Sequence, residues 1–186
     1  INEEKPEYML VAFDKGKTFR HEKYKDYKAG RIKMPDELKM QFPIAKEILT
    51  SLGIKWFEIE MYEADDIVGT LAKEIDDKED YNGLIISSDK DLLQLISDKV
   101  VMKLLKSKDY IMMTKETFFE TYGLTPEKMI DIKALQGDSS DNIPGVKGIG
   151  EKTALKLLQD YGSLEGVYDN IAYIKGATAT KLINDR

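Results

Sequence analysis

The run Tyr8-Met9-Leu10-Val11-Ala12-Phe13 is apolar without a break, which predicts a strand buried on both faces. Asp14 closes it. Lys15 to Met34 contains Phe19, Tyr24 and Tyr27 but no helical apolar face. From Pro35-Asp36-Glu37 onward, Leu38, Phe42, Ala45, Ile48, Leu49 and Leu52 recur at three and four residues, predicting a helix that ends at Gly53 and kinks or restarts at Pro43. A second strand, Ile54 to Glu60, leads through Glu63-Ala64-Asp65-Asp66 into a helix reaching about Ile75. A third, Gly83 to Ser88, ends at Asp89-Lys90-Asp91 and a short helix around Leu92 to Ile96.

Val100 to Leu105 and Tyr110 to Thr114 suit a hairpin across Ser107-Lys108-Asp109. Thr125-Pro126 offers an N-cap with proline at the first helical position, predicting a helix to about Leu135. The final third changes character. Gln136 to Pro144 is a loop, and Gly145-Val146-Lys147-Gly148-Ile149-Gly150 separates two helical runs. Strand and helix in alternation predict an α/β protein with a mostly parallel central sheet flanked by helices. The expected division is a core over residues 1–135, with a basic excursion about 15–36, and a smaller part over 136–186.

Composition narrows the chemistry. The chain has 186 residues, no cysteine and one histidine, His21, so disulfides and thiolate sites are excluded and a histidine zinc site is disfavoured. Any metal would be held by oxygen, which favours Mg²⁺, Mn²⁺ or Ca²⁺. No run approaches the roughly 18 apolar residues of a membrane span, and no signal sequence opens the chain, so the expected compartment is the cytoplasm. A net charge of −6 is by itself unsuited to nucleic acid, but its distribution is uneven. Residues 15–33 hold eight cations against two anions, a segment of +6, which leaves the remainder at −12.

The acids mark the ends of strands. Asp14 follows the first, Glu63, Asp65 and Asp66 the second, and Asp89 and Asp91 the third, where an open parallel sheet places its site. Asp138 and Asp141, spaced i, i+3, would face one way if their loop continued a helical turn. Each group alone reads as a turn or a helix start favoured by the helix dipole. Together they need a counter-charge, because two carboxylates at about 4 Å repel by about 4 kcal/mol at an effective dielectric of 20. Two Mg²⁺ or Mn²⁺ ions sharing these oxygens would suit phosphodiester hydrolysis. A helix-loop-helix Ca²⁺ site is excluded, since no segment matches its pattern.

Gly145 to Gly150 opens a helix at Glu151-Lys152-Thr153-Ala154, where glycines allow close approach to a phosphate and backbone amides can bind it. The nucleotide P-loop pattern is one residue out of register here and follows a proline loop rather than a strand. A plain turn between helices stays open. In the basic segment Phe19, Tyr24 and Tyr27 could stack on bases, with Lys28 and Arg31 on phosphates. Acids, hairpin and basic segment together imply a metal-dependent nuclease for branched or end-containing DNA. A DNA-binding module without turnover shares these features. An RNase of related acidic fold would leave the hairpin unexplained.

Phe13-Asp14, Phe19-Arg20-His21, Tyr27-Lys28-Ala29-Gly30-Arg31, Tyr62-Glu63-Ala64-Asp65-Asp66, Ser88-Asp89-Lys90-Asp91, Gly137-Asp138-Ser139-Ser140-Asp141-Asn142 and Gly145 to Gly150 resemble the bacterial 5′-nuclease family over essentially the whole chain. That family includes the amino-terminal 5′→3′ exonuclease domain of DNA polymerase I and stand-alone flap endonucleases. The resemblance implies a 5′-nuclease, PIN-like fold with a helical arch and a carboxyl-terminal helix-hairpin-helix subdomain. It implies one metal site at Asp14, Glu63, Asp65 and Asp66, and a second at Asp89, Asp91, Asp138 and Asp141. Lys28 and Arg31 would orient the scissile phosphate. DNA contacts would come from Arg20, Tyr27, Lys28, Arg31, Gly145, Lys147, Gly148, Gly150 and Lys152, with a K⁺ ion on hairpin carbonyls.

The implied substrates are nicked, gapped, 5′-flapped and RNA-primed DNA, cut to leave a 5′-phosphate by a monomer fused to or acting with a DNA polymerase. Two positions depart from the family pattern. Met61 stands where glycine is usual, and a preceding strand with an Asp-Gly motif and a helix is missing, so the resemblance implies an amino-terminally incomplete chain.

Overall fold

The computed structural model describes residues 1–185. They divide into two compact units, Ile1–Thr70 and Leu71 onward. In the first, strand β1 (Leu10–Ala12) pairs in parallel with β2 (Lys55–Phe57), Leu10 opposite Lys55 and Ala12 opposite Phe57. The Phe13 amide extends the ladder by donating to the Phe57 carbonyl at 2.8 Å. Parallel strands require a long crossover. Here it carries the basic segment, which includes the short helix α1 (Phe19–Lys23), and then α2 (Asp36–Lys39) and α3 (Gln41–Ser51).

The predicted restart occurs, but at Met40. Pro43 therefore falls in the first turn of α3, where a missing amide costs no intrahelical bond. The periodicity located this helix but not its burial: α3 has no buried residue, and Leu38, Phe42, Ile48 and Leu52 are exposed. Burial of the first strand on both faces is likewise corrected. Leu10, Val11 and Ala12 are only half-buried, and Tyr8 is 75% exposed, because β1 pairs with β2 alone. Among the described residues, the buried side chains of this unit are Thr18, Tyr27, Glu63 and Ile67. Two of the four are polar, so polar pairing as well as apolar packing must fix the unit.

Helix α4 (Ala64–Asp76) begins in the first unit and continues into the second. There β3 (Gly83–Ser87) pairs in parallel with β4 (Val100–Leu105), and β4 pairs antiparallel with β5 (Tyr110–Met113). This is the expected hairpin. Period-2 alternation puts Val100, Met102 and Leu104 on the buried face. The described strands thus form two sheets, β1-β2 and β3-β4-β5, where the pattern suggested one central sheet.

Helix α5 (Lys115–Tyr122) was not legible from the pattern, since only Phe118 and Tyr122 mark its buried face. Thr114 caps its start, and Gly123 ends it at φ +66°. The Thr125-Pro126 start opens as a 3₁₀ turn (Pro126–Lys128) before α6 (Met129–Gln136). Then follow α7 (Glu151–Tyr161), α8 (Leu164–Asp169) and α9 (Ala177–Asn184). Their fully buried contributions include Ile132, Leu135, Leu158, Val167 and Leu182. Among the described residues no helix is long and apolar enough to cross a membrane.

Met61 has φ +69°, the left-handed region in which a side chain clashes with its own backbone. The Phe19 amide donates to its carbonyl at 3.0 Å, and Thr18 bridges it in parallel, so the conformation is fixed from outside. Relief of about 1–2 kcal/mol of strain, set against about 0.5–1 kcal/mol of glycine entropy, predicts that Met61→Gly stabilises the chain by about 0.5–1 kcal/mol. Urea unfolding measures this directly, and a lowered midpoint would contradict the strain.

Candidate functional site

The acids of the first unit gather around the start of α4, whose leading amides lack intrahelical partners. Asp14, two residues beyond β1, accepts the Ala64 amide through Oδ1 at 2.7 Å. Asp66 turns back to accept the Glu63 amide at 2.8 Å. Anions at this helix end also match its dipole. Asp65, beside them in the first turn, is half-buried.

The basic segment folds onto these acids. Arg20 on α1 holds Asp66 with both terminal nitrogens, each bond 2.7 Å, in the planar two-bond geometry that lysine cannot reproduce. Glu63 is 6% exposed. Its Oε1 accepts from Lys28 Nζ at 2.7 Å and its Oε2 from the Tyr27 hydroxyl at 3.0 Å, with Arg20 Nη1 at 3.9 Å. Lys28 adopts φ +58° to reach this position. Strain of that kind in a non-glycine residue concentrates at functional sites. The Arg20 hydrogen bond holds the Asp66 carboxyl below its ordinary range despite partial burial, and the same bond raises Arg20 further above its own. Arg31 is exposed, its amide closing a turn on the Lys28 carbonyl at 3.1 Å.

In the second unit Asp89 caps the 3₁₀ turn Lys90–Leu95 by accepting the Asp91 amide at 2.9 Å. Lys133 of α6, which the sequence did not single out, stands between two of the expected ligands. Its Nζ is 2.6 Å from Asp91 Oδ1 and 2.7 Å from Asp138 Oδ2. Asp91 Oδ1 is buried and has no partner in hydrogen-bond geometry, so its contact with Lys133 is an ion pair only. The available signal was a lysine at Lys133 inside the otherwise apolar stretch Ile132 to Leu135, five residues before Asp138.

Asp138 does not continue a helical turn. Its Oδ1 accepts the Ser140 amide at 2.8 Å, the Ser140 hydroxyl at 2.6 Å and the Asp141 amide at 3.2 Å, folding the loop around itself. Two backbone bonds between Asp138 and Ile143, both 2.8 Å, close that loop. A side chain on Gly145 would lie 2.1 Å from the Gly137 nitrogen, so both ends of the loop depend on glycine. The two aspartates diverge in acidity. Burial raises Asp91 although Lys133 opposes it, whereas at Asp138 burial is outweighed by Lys133 and Ser140, and the carboxyl lies well below its usual range. Lys133 loses hydration on burial, but its pairing with both aspartates leaves it raised.

The donor set is therefore all oxygen, paired with lysine and arginine. Among the described residues no three acids stand close enough together to hold one ion. In the hairpin, Val146 and Ile149 are buried anchors, while Lys147, Gly148, Gly150 and Lys152 are exposed. The Lys147 amide donates to Asp185 Oδ2 at 2.6 Å, and Lys181 Nζ donates to the Gly148 carbonyl at 2.8 Å. Gly148 has φ +79°, the freedom this turn requires.

Such a fold and such acids define a nuclease-like class, and comparison with known proteins specifies it. Residues 1–123 match the 5′-3′ exonuclease N-terminal resolvase-like domain, and residues 124–186 match the 5′-3′ exonuclease C-terminal SAM fold. The chain belongs to the 5′-3′ exonuclease family. It is 49% identical over 185 residues to DNA polymerase I of Streptococcus pneumoniae (strain ATCC BAA-255 / R6), covering 97% of this chain and 21% of that protein. The chain thus spans about a fifth of the length of the curated relatives it matches.

Among solved structures it is similar to the T5 5′-exonuclease with divalent metal ions (zinc) bound, at 27% identity and TM-score 0.79, covering 97% of this chain and 70% of that one. It is also similar to a T5 flap endonuclease pseudo-enzyme-product complex with DNA and metal ions, at 26% identity and TM-score 0.79, with coverage of 97% and 70%.

The folded pKa of Asp66 is depressed, so its stabilising contribution is complete above the unfolded value near 3.9 and is lost as pH falls through the folded value. Arg20→Met should cost about 1.5–3 kcal/mol at pH 7, the range of a hydrogen bond to a charged group. That cost should shrink below about pH 4. Urea unfolding in chelator across this range tests it, and a cost independent of pH would remove the ion pair as its cause.

Proposed function

We propose that the protein containing this chain is a structure-specific 5′ nuclease that hydrolyses phosphodiester bonds in 5′-flapped, nicked or RNA-primed DNA. The observation that carries this reading is the contact of Lys28 and Arg20, cations from the basic segment, with Glu63 and Asp66. Phosphate-binding groups and hard carboxylate ligands are thereby held side by side, as cleavage of a phosphodiester requires. Relatives named as a flap endonuclease with DNA and as an exonuclease with divalent metal support the same assignment.

The residues fit divalent ions by the chemistry of their donors. All are carboxylate oxygens, and the buried Asp91 Oδ1, which accepts no hydrogen bond, already faces a cation in the Lys133 ammonium at 2.6 Å. Asp14, Glu63, Asp65 and Asp66 would hold one ion, and Asp89, Asp91, Asp138 and Asp141 another, once each set is drawn closer than in the lysine- and arginine-paired arrangement seen here. When bound, Mg²⁺ or Mn²⁺ supplies an acidified water and charge stabilisation at phosphorus. The chain's own part is to orient and neutralise: Lys28 and Arg31 orient the phosphate, and Arg20 and Tyr27 hold the first carboxylates. The exposed amides of Gly148 and Gly150, with Lys147 and Lys152, grip the duplex backbone. A K⁺ ion at this hairpin would rest on carbonyls other than that of Gly148, which Lys181 occupies. The enzyme works as a cytoplasmic monomer together with a DNA polymerase, residues 136–186 forming its duplex-binding subdomain.

A second reading, DNA binding without turnover, is favoured by one observation: the acids are paired with lysines and arginine rather than grouped in threes. A flap-cleavage assay in Mg²⁺ beside a gel shift in Ca²⁺ separates the two, using the full-length protein that carries this chain. We expect Asp91→Asn or Asp138→Asn to reduce cleavage by about 10³-fold, several kcal/mol of charge stabilisation, with DNA binding in Ca²⁺ retained. Undiminished cleavage in both variants would remove the second metal site. In Lys28→Ala, cleavage should fall with binding kept; an equal loss of both would make Lys28 a docking residue.

A further inference from the structure

His21 is the single histidine of the chain and takes no part in the site as described. It occupies the third position of α1, where a glutamate or glutamine usually reaches back to the N-cap amide. Here the imidazole does so: the Thr18 amide donates to His21 Nδ1 at 3.1 Å, and the Thr18 hydroxyl lies 3.2 Å from the same nitrogen. Nδ1 is therefore an acceptor, which places the ring proton on Nε2. Thr18 is 2% exposed, so no water replaces that acceptor if it is removed.

The imidazole ring makes a second contact. It stands against Tyr27 at 5.1 Å between centroids, with planes 82° apart. That edge-to-face geometry is the favoured one for aromatic pairs. Tyr27 is buried and sends its hydroxyl to Glu63, while α1 carries Arg20 to Asp66. One side chain therefore touches both routes by which the basic segment reaches the acids. With only five residues, α1 is too short to persist by propensity, so its cap matters out of proportion.

We propose that His21 is a positioning residue for the nuclease reaction: its Nδ1 pins α1 so that Arg20 meets Asp66, and its ring seats Tyr27 against Glu63. This rests on the function proposed above.

The test uses the full-length protein with three variants. Asparagine keeps an acceptor at the Nδ1 position without the ring, phenylalanine keeps a ring without the acceptor, and alanine keeps neither. Misplacement by about 1 Å costs on the order of 10²-fold in rate. The expected result for His21→Ala is therefore a fall in kcat of about that size, with Ca²⁺ affinity for a flap substrate changed less than about threefold. His21→Asn and His21→Phe should each recover part of the loss.

An independent readout is hydrogen exchange at the Thr18 amide. It should be protected in the wild type and in His21→Asn, and at least about fivefold faster in His21→Ala and His21→Phe, as expected when a cap bond worth about 1 kcal/mol or more is lost. Unchanged protection in all variants, or wild-type kcat in His21→Ala, would overturn the proposal. If the wild type cleaves no flap in Mg²⁺, the proposed nuclease function fails, while the exchange pattern still decides whether His21 pins α1.

Discussion

Burying a carboxylate as deeply as Glu63 without partners costs about several kcal/mol, because an ion leaves water. The first unit is arranged around meeting that cost. Tyr27 and Lys28 approach Glu63 from the basic segment, Arg20 takes the neighbouring Asp66, and Lys28 accepts a left-handed backbone to do so. With Thr18, Tyr27, Glu63 and Ile67 as its buried residues, this unit relies on polar pairing where most domains rely on apolar packing.

The second unit meets the same requirement differently. Its apolar core, with Leu93, Met102, Phe118, Ile132 and Leu158 fully buried, holds α6 firmly enough to project Lys133 between Asp91 and Asp138. One ammonium then serves two carboxylates of unequal acidity. Asp138, with Ser140 and Asp141 donating to it, is the better anion, and Asp91, raised by burial, takes up a proton first as pH falls. Under the function proposed above, the candidate ligands would be oriented by cations of the chain itself. The glycine pair Gly137 and Gly145 permits the tight loop that aims Asp138, and the hairpin beyond it has its backbone held from α9 by Lys181 and Asp185.

Family membership and geometry contribute different things here. The matched family covers the chain end to end, while the relatives it resembles are about five times longer. The geometry shows how local groups are held: a bidentate arginine, a capped short helix, an aspartate-wrapped loop. Each is a physical arrangement read from the described residues themselves.

Much was legible in the sequence because it is local. Period and punctuation located β1 to β5, α3, α4, α6 and α7, since side-chain periodicity and caps act within a few residues. The acids at strand ends, the glycine hairpin and the basic segment could be named for the same reason. Helix α5 escaped because two aromatic residues four apart make too faint a stripe. The burial expected of Tyr8 to Phe13 did not follow, and the apolar stripe of α3 stays uncovered, because burial is set by what packs against an element and not by its own pattern. Tertiary structure alone decided which charge meets which. Arg20 and Asp66 are 46 residues apart, Lys28 and Glu63 35, and the purpose of His21 lies in an amide and a ring that its own helix brings within reach. A sequence lists the charges, but ion pairing acts through space, so only the folded chain determines their partners.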